Sequence, residues 1–177
     1  MKIVKIILGI IVAVVLLVLV IALIIGKDYT VEREIVINKP KQQVFDYIKQ
    51  IKNEDNYSKW NMQDPNMKKE FRGTDGTVGF VYAWDGNDKA GKGEQEIQQI
   101  NEGESIVTEL RFVKPFEGLA HTTMRTEAVS ENETKVRWSF TSSMPYPMNI
   151  MKPLVTKMLA ADQDLSLQNL KAQLEKQ

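Results

Sequence analysis

Residues 148–175 limit the possible folds of this chain more than any other stretch. Their apolar residues recur at steps of three and four, which places them along one stripe of a long helix. Such a helix is about 40 Å long at ~1.5 Å per residue and needs an equally long apolar partner surface. The stripe consists of Leu154, Val155, Met158, Leu159, Ala161, Leu165, Leu170 and Leu174.

The middle of the chain predicts a series of short strands that supply this surface. β-Branched and aromatic residues are frequent in seven segments, and short turns rich in Gly, Asn and Asp separate most of them. The segments are residues 31–38, 68–72, 78–84, 93–100, 105–113, 120–129 and 135–143. Short connections indicate antiparallel pairing. We therefore expect an α+β fold, in which a curved antiparallel sheet of about seven strands surrounds the carboxyl-terminal helix.

Between the first two strands the sequence predicts two helical segments. Asn38 and Pro40 mark the start of the first one, as its cap and as an early first-turn residue. Val44 and Ile48 belong to its apolar face. Residues 53–64 are polar with embedded aromatic residues, which predicts a short helix followed by a loop.

The alternation of residues along the strands separates two faces of the sheet. The inward face is apolar with a few hydroxyl groups, whereas the outward face carries alternating charges, which is typical of a solvated surface. The inward residues are Phe80, Tyr82, Trp84, Ile106, Thr108, Leu110, Phe112, Thr122, Met124, Thr126, Val136, Trp138 and Phe140. The outward residues are Glu109, Arg111, His121, Arg125, Glu127, Lys135 and Arg137.

Residues 3–25 are aliphatic except for Lys5 and Gly9. About 20 apolar residues suffice to cross a hydrocarbon layer of ~30 Å. A cleaved signal peptide is the alternative, but its apolar core is usually only ~7–15 residues long and ends in an A-x-A site, which is absent before Lys27. We expect an uncleaved transmembrane signal anchor over residues 1–27 and one domain over residues 28–177.

Basic residues lie on both sides of this span, two before it and several after it, so their distribution is nearly balanced. A very short basic amino-terminal tail usually remains in the cytoplasm. We therefore expect a single-pass membrane protein whose domain lies on the extracytoplasmic side.

Composition excludes several kinds of site. The formal net charge is zero, which argues against nucleic-acid binding because such proteins need a basic face. The absence of cysteine excludes disulfides, thiolate metal sites and a cysteine nucleophile. A single histidine excludes a two-histidine metal centre. We expect no metal and no cofactor, and the protein partners are unknown.

Several segments carry a family pattern. They are residues 82–87 (YAWDGN), 91–94 (GKGE), 112–117 (FVKPFE) and 134–138 (TKVRW), together with 40–45 and 57–60. From residue 31 to its end, the chain resembles the polyketide cyclase/dehydrase branch of the START/Bet v 1-like (SRPBCC) superfamily. The order of the predicted elements is that of the helix-grip fold of this superfamily.

The resemblance implies a cavity for an apolar or amphipathic ligand, such as a lipid, between the sheet and the last helix. We expect the inward face, a loop tryptophan and the start of the helix to line it. The candidate ligand-binding residues are Trp60, Phe80, Tyr82, Trp84, Thr108, Leu110, Phe112, Thr122, Met124, Thr126, Trp138, Phe140, Met151, Val155 and Met158.

The sequence predicts no catalytic residue, because the inward face of the strands holds no acidic, basic or histidine side chain. Its hydroxyl groups either orient a ligand or fill a packed core. His121 shares the outward parity of Arg125 and is expected at the surface. Gly91 and Gly93 predict a bend or bulge in a strand rather than a phosphate loop.

Three functions are compatible with these features. The first is a membrane-anchored binding domain for a hydrophobic small molecule or lipid. The second is a cyclase- or dehydratase-like enzyme that shapes its substrate, which an acidic or basic side chain inside the cavity would favour. The third is a protein-interaction module without a ligand, which a filled core would favour.

Overall fold

The computed structural model describes residues 2–176. Helix α1 spans Lys2–Ile24, α2 spans Lys41–Lys49 and α3 spans Lys152–Glu175; short 3-10 helices lie at Ile51–Asn56, Asn61–Gln63 and Met148–Met151. The strands are β1 Asp28–Ile37, β2 Lys68–Arg72, β3 Val81–Asp85, β4 Lys92–Asn101, β5 Ser105–Lys114, β6 Gly118–Ser130 and β7 Glu133–Ser143.

The strands form one antiparallel sheet in the order β1-β7-β6-β5-β4-β3-β2. Helix α3 packs against it, with Leu167, Leu170 and Leu174 buried in the main core. Nearer its start, Leu159 packs in a smaller cluster with Val31 of β1. The predicted α+β helix-grip architecture is confirmed.

The strand register shows which residues share one end of the sheet. Asp28 pairs with Ser143, Gly118 pairs with Phe112, and Lys92 pairs with both Lys114 and Asp85. The start of β1, immediately after α1, therefore lies at the same end as the β3–β4 and β5–β6 turns and the residues that follow β7. We call this the proximal end.

The outward face carries the predicted charged residues. Arg111 forms ion pairs with Glu94, Glu96 and Glu109 on neighbouring strands. His121 is exposed, and its Nε2 lies 3.4 Å from Glu109 Oε2. A charged outer surface is thus confirmed, and His121 lies on it.

Three local predictions need correction. Asn38 does not cap α2, because the helix begins after Pro40 without a side-chain cap; the backbone N–H of Asn38 donates to Glu175 Oε1 (2.7 Å). Strand β3 begins at residue 81 rather than 78, because the left-handed Gly79 (φ 85°) precedes it in a turn. Residues 148–151 form a 3-10 helix, and α3 begins at residue 152.

Helix α1 is long and apolar enough to cross a membrane by length and composition, criteria that a signal sequence also meets. Its last turn contacts the domain. Asn149 Nδ2 donates to the carbonyl oxygens of Ala22 (2.7 Å) and Ile25 (2.6 Å), and Lys152 Nζ donates to that of Gly26 (2.7 Å). Carbonyl groups at a helix end lack partners within the helix, so these side chains cap α1.

Candidate functional site

A cavity of about 200 Å³ lies between the inner face of the sheet, α3 and the segment that follows α2. Most of its surface is apolar. Its lining consists of Glu54, Ser58, Trp60, Asn61, Met67, Tyr82, Trp84, Lys89, Ala90, Gln95, Leu110, Phe112, Lys114, Pro115, Thr122, Trp138, Phe140, Leu159 and Gln163.

The cavity occupies the proximal half of the domain. Lys89 in the β3–β4 turn and Lys114 and Pro115 at the β5–β6 turn belong to its lining. Lys89, Lys114 and Pro115 are exposed to solvent, so the cavity reaches solvent here. Since both turns lie at the proximal end, the mouth of the cavity is at the end of the sheet where α1 joins β1.

Eight of the candidate residues line this cavity: Trp60, Tyr82, Trp84, Leu110, Phe112, Thr122, Trp138 and Phe140. Seven lie elsewhere: Phe80, Thr108, Met124, Thr126, Met151, Val155 and Met158. Whether the eight bind a ligand stays a prediction.

Four of the seven are buried in other parts of the core, and three lie in or just before the first turns of α3. Phe80, Met124 and the two threonines are buried outside the cavity, and the Phe80 ring stacks on Phe71 while Met124 Sδ accepts a hydrogen bond from Tyr57. Met151, in the 3-10 helix before α3, and Met158, on the broad apolar stripe of α3, are exposed to solvent. Val155 packs beside the Val31 cluster.

A carboxyl group lies in the cavity wall, contrary to the prediction of a site without ionisable groups. Glu54 is only 8% exposed, and its Oε1 accepts a hydrogen bond from Gln95 Nε2 (3.0 Å). Burial raises the pKa of Glu54 to about 7. The group was missed because it comes from the 3-10 helix and not from a strand. The sequence signal that would have identified Glu54 is its spacing of three residues from Ile51 and from Tyr57, which are both buried.

Gln95 connects this carboxyl group to the hydroxyl groups of the sheet. Its Nε2 also donates to Thr108 Oγ1 (3.2 Å), and the Thr108 and Thr122 hydroxyl groups are hydrogen-bonded at 2.8 Å. Gln95 has the strand parity of the buried Ile97, which marks it as inward-facing despite its polarity. A continuous chain of hydrogen bonds therefore runs from Glu54 to Thr122 through the otherwise apolar wall.

Tyr82 belongs to a second polar group at the wall. Its hydroxyl donates to Asp55 Oδ1 (2.7 Å), and Lys69 Nζ lies 2.7 Å from Asp55 Oδ2. Burial is the largest cause of the raised pKa of Tyr82, and the hydrogen bond to Asp55 adds to it. The Tyr82 phenol therefore stays protonated and hydrogen-bonded to Asp55. This arrangement suits a structural hydrogen-bond donor better than a group that accepts a proton.

Two polar atoms in the lining are buried without a hydrogen-bond partner among residues 2–176. They are the indole Nε1 of Trp138 and the amide Oε1 of Gln163. By contrast, Trp84 Nε1 donates to the carbonyl oxygen of Ala90 (3.1 Å). Buried polar groups are nearly always paired. These two atoms are therefore available to hydrogen-bond a polar group of a ligand or a water molecule.

Solved structures of other proteins share this fold. Norcoclaurine synthase from Thalictrum flavum, in complex with dopamine and hydroxybenzaldehyde, matches with a TM-score of 0.64 at 13% identity, over 89% of this chain and 92% of that one. Protein MLL2253 from Mesorhizobium loti matches with a TM-score of 0.63 at 14% identity, over 84% and 98% of the two chains. At such identities the likeness shows the fold alone.

No curated protein matches the chain by sequence. The model of the family described as "Polyketide cyclase / dehydrase and lipid transport" matches residues 28–175, which is nearly all of the chain outside α1. This match agrees with the helix-grip architecture and with the structural neighbours. The chain therefore belongs to the polyketide cyclase/dehydrase and lipid transport family, within the Bet v 1-like (SRPBCC) superfamily.

Proposed function

We propose that this protein is a membrane-anchored binding domain for a hydrophobic small molecule or lipid, held between the sheet and α3. The observation that carries the proposal is a largely apolar cavity whose mouth lies at the end of the domain where α1 joins it. A ligand that partitions into the bilayer would then enter the cavity from the membrane side.

Family and cavity size support ligand binding over a module with a solid core. The family description includes lipid transport, and one structural neighbour was solved with two small aromatic compounds. Pockets for drug-sized ligands enclose about 300–1,000 Å³. The volume of about 200 Å³ suits a smaller compound, or one part of a larger lipid whose remainder extends through the mouth.

The proximal end supports membrane contact. Helix α1 has 23 residues and would be about 35 Å long at ~1.5 Å per residue, which suffices to span a bilayer. Around its junction with the domain, Phe116 (74% exposed), Tyr146 and Met148 expose apolar surface. Exposed apolar side chains beside a membrane span suit the headgroup layer, whereas they are unfavourable in water.

Ligand binding is tested by native mass spectrometry of the full chain released from native membranes in mild detergent. We expect a bound apolar compound, or uptake of one supplied during reconstitution. A protein that carries and takes up no such compound would contradict the proposal.

Membrane contact is tested with single-cysteine variants. Each variant has one labelling site, because the chain itself has no cysteine. Phe116→Cys replaces a residue at the proximal end, and the matched control is Val129→Cys, since Val129 is an exposed residue of β6 at the other end of the sheet. With the full chain in vesicles, we expect lipid-borne quenchers to quench a fluorophore at position 116 but not at 129. Equal quenching at both positions would contradict the part of the proposal in which the cavity mouth faces the membrane.

The buried Glu54 favours a second candidate, an acid–base enzyme that shapes its substrate in the cavity. A carboxyl group whose pKa lies near 7 is suited to proton transfer at neutral pH. Glu54→Gln separates the two functions. In an enzyme it would abolish dehydration of a β-hydroxyketone probe while the probe still binds; in a carrier no dehydration above the protein-free rate occurs with either form.

A further inference from the structure

The cavity contains one donor and one acceptor that nothing in residues 2–176 satisfies. Trp138 comes from β7 and Gln163 from the middle of α3, so the sheet contributes the donor and the helix the acceptor. Gln163 is only 3% exposed and Trp138 8%. Both side chains line the cavity.

Their orientation is set by the structure around them. Gln163 Nε2 donates to the carbonyl oxygen of Trp138 at 3.5 Å, so the two residues are adjacent. A flipped amide would turn its oxygen toward that carbonyl oxygen, which is repulsive, so Oε1 is the atom left without a partner. The indole nitrogen of Trp138 carries only a donor.

From this pair we infer that the ligand carries a neutral hydroxyl group, which accepts a hydrogen bond from Trp138 Nε1 and donates one to Gln163 Oε1. The apolar remainder of the ligand lies against Leu110, Phe112 and Phe140. This inference rests on the proposed binding function and specifies the class of compound: an amphipathic alcohol, sterol-like alcohol or phenol.

The hydrogen-bonding character of the unpaired atoms argues against an anionic ligand at this place. Gln163 Oε1 accepts hydrogen bonds but donates none, so the oxygen of a carboxylate would meet it without a hydrogen between them. The lysines of the lining, Lys89 and Lys114, are at the exposed mouth. A hydroxyl group satisfies both unpaired atoms, whereas a carboxylate or an ether satisfies only the indole.

A matched series of probes tests the inference on the full chain in detergent. Beta-naphthol can accept and donate, beta-methoxynaphthalene can only accept, beta-naphthoate is anionic, and naphthalene has no polar group. We expect naphthol to bind most tightly. We also expect Gln163→Met to lower the naphthol-to-methoxynaphthalene affinity ratio by roughly tenfold, as expected for the loss of one hydrogen bond in a dry site. Partitioning of the probes into detergent cancels when this ratio is compared between variants.

Thr122→Val is the matched control, since Thr122 lines the same cavity but its hydroxyl is already paired with Thr108. We expect it to lower the ratio less than Gln163→Met does. If Thr122→Val lowers the ratio and Gln163→Met does not, the hydroxyl binds to the threonines and the inference is wrong. Equal binding of all four probes would also overturn it while leaving the binding function intact. Binding of none of them would count against the proposed function itself.

A spectroscopic test uses the wild-type chain, so it does not depend on whether a cavity variant folds. The chain has three tryptophans, so the Trp138 indole N–H gives one of three signals in a ¹H–¹⁵N spectrum. We expect naphthol to shift this signal downfield, as a new hydrogen bond does, and naphthalene not to do so. The same shift with both probes would mean ring-current effects alone and would contradict a hydroxyl contact.

Discussion

Gln95 donates a hydrogen bond to Glu54 across 3.0 Å in the cavity wall, which joins a strand side chain to a carboxyl group from the segment after α2. This contact explains how a carboxyl group is accommodated in a largely apolar site. Protonation removes the cost of burying its charge, and Gln95 satisfies one of its oxygens.

Glu54 should make the stability of the domain decrease as the pH rises. Its pKa in the folded protein, about 7, lies above the ordinary value of 4.5, so the folded state binds the proton more tightly. This contribution is fully present below about pH 4.5 and is lost as the pH rises through 7, with a limit of about 3 kcal/mol. Unfolding of the wild type and Glu54→Gln, followed from pH 4 to 8, measures it. Parallel pH profiles for the two proteins would show that Glu54 titrates normally.

Replacing Asn149 should loosen the junction between α1 and the domain. Asn149→Ala removes both hydrogen bonds to the end of α1, each worth about 0.5–1.5 kcal/mol, and leaves the buried Ala22 carbonyl group and the partly buried one of Ile25 without this donor. We expect hydrogen exchange of residues 22–28 to accelerate by roughly tenfold or more. Met148→Ala, at the exposed neighbouring residue, is the control and should leave exchange there unchanged. Unaltered exchange in Asn149→Ala would mean that the junction is held by other contacts.

Gly93 should not tolerate even one methyl group. A Cβ at this position would lie 2.6 Å from the Arg111 carbonyl oxygen and 2.7 Å from the Trp84 ring, and that ring lines the cavity. We expect Gly93→Ala to lower the free energy of unfolding by about 1–3 kcal/mol through this overpacking.

Gly118→Ala is the control for this substitution, because a Cβ there meets only the Phe112 ring at 3.9 Å. We expect its thermal midpoint to stay close to that of the wild type. Equal midpoints for both variants would mean that the Arg111 backbone and the Trp84 ring both move aside at little cost.

Arg111→Met should destabilise the outer face at neutral pH and less so in acid. Arg111 hydrogen-bonds Glu94, which is the main reason that the pKa of Glu94 lies below its usual range. That stabilisation is present above the ordinary pKa of the carboxyl group and is lost as the pH falls through the lowered value.

Because the network is partly exposed, we expect a loss of only about 1 kcal/mol near pH 7 from Arg111→Met. Thermal unfolding at pH 7 and pH 4 measures the change, and Arg137→Met, which removes a more exposed network with Glu32 and Glu34, should have a smaller effect. A loss that is independent of pH would point to lost packing of the arginine stem.

Strand parity predicted which side chains face inward from the sheet, but not which of them border the cavity. Tyr82, Leu110, Phe112 and Trp138 line the cavity as their alternation indicated. Thr108, Met124 and Thr126 share the inward parity but are buried in parts of the core away from the cavity. Met158 belongs to an apolar stripe of α3 that is too broad for all of it to face inward, and Met151 lies in the 3-10 helix before α3; both are exposed.

The alternation of residues and the helical stripe determined the sheet, the terminal helix and the charged outer face, because these features depend on local periodicity and on separating apolar from polar surface. Tertiary structure alone decided where space remains and which polar groups meet there. Glu54, Gln95, Trp138 and Gln163 come from four separate elements, and neither their convergence nor the lack of partners for two of their atoms is encoded in any local spacing. The placement of the cavity mouth beside the end of α1 likewise follows from strand register, a long-range property of the fold.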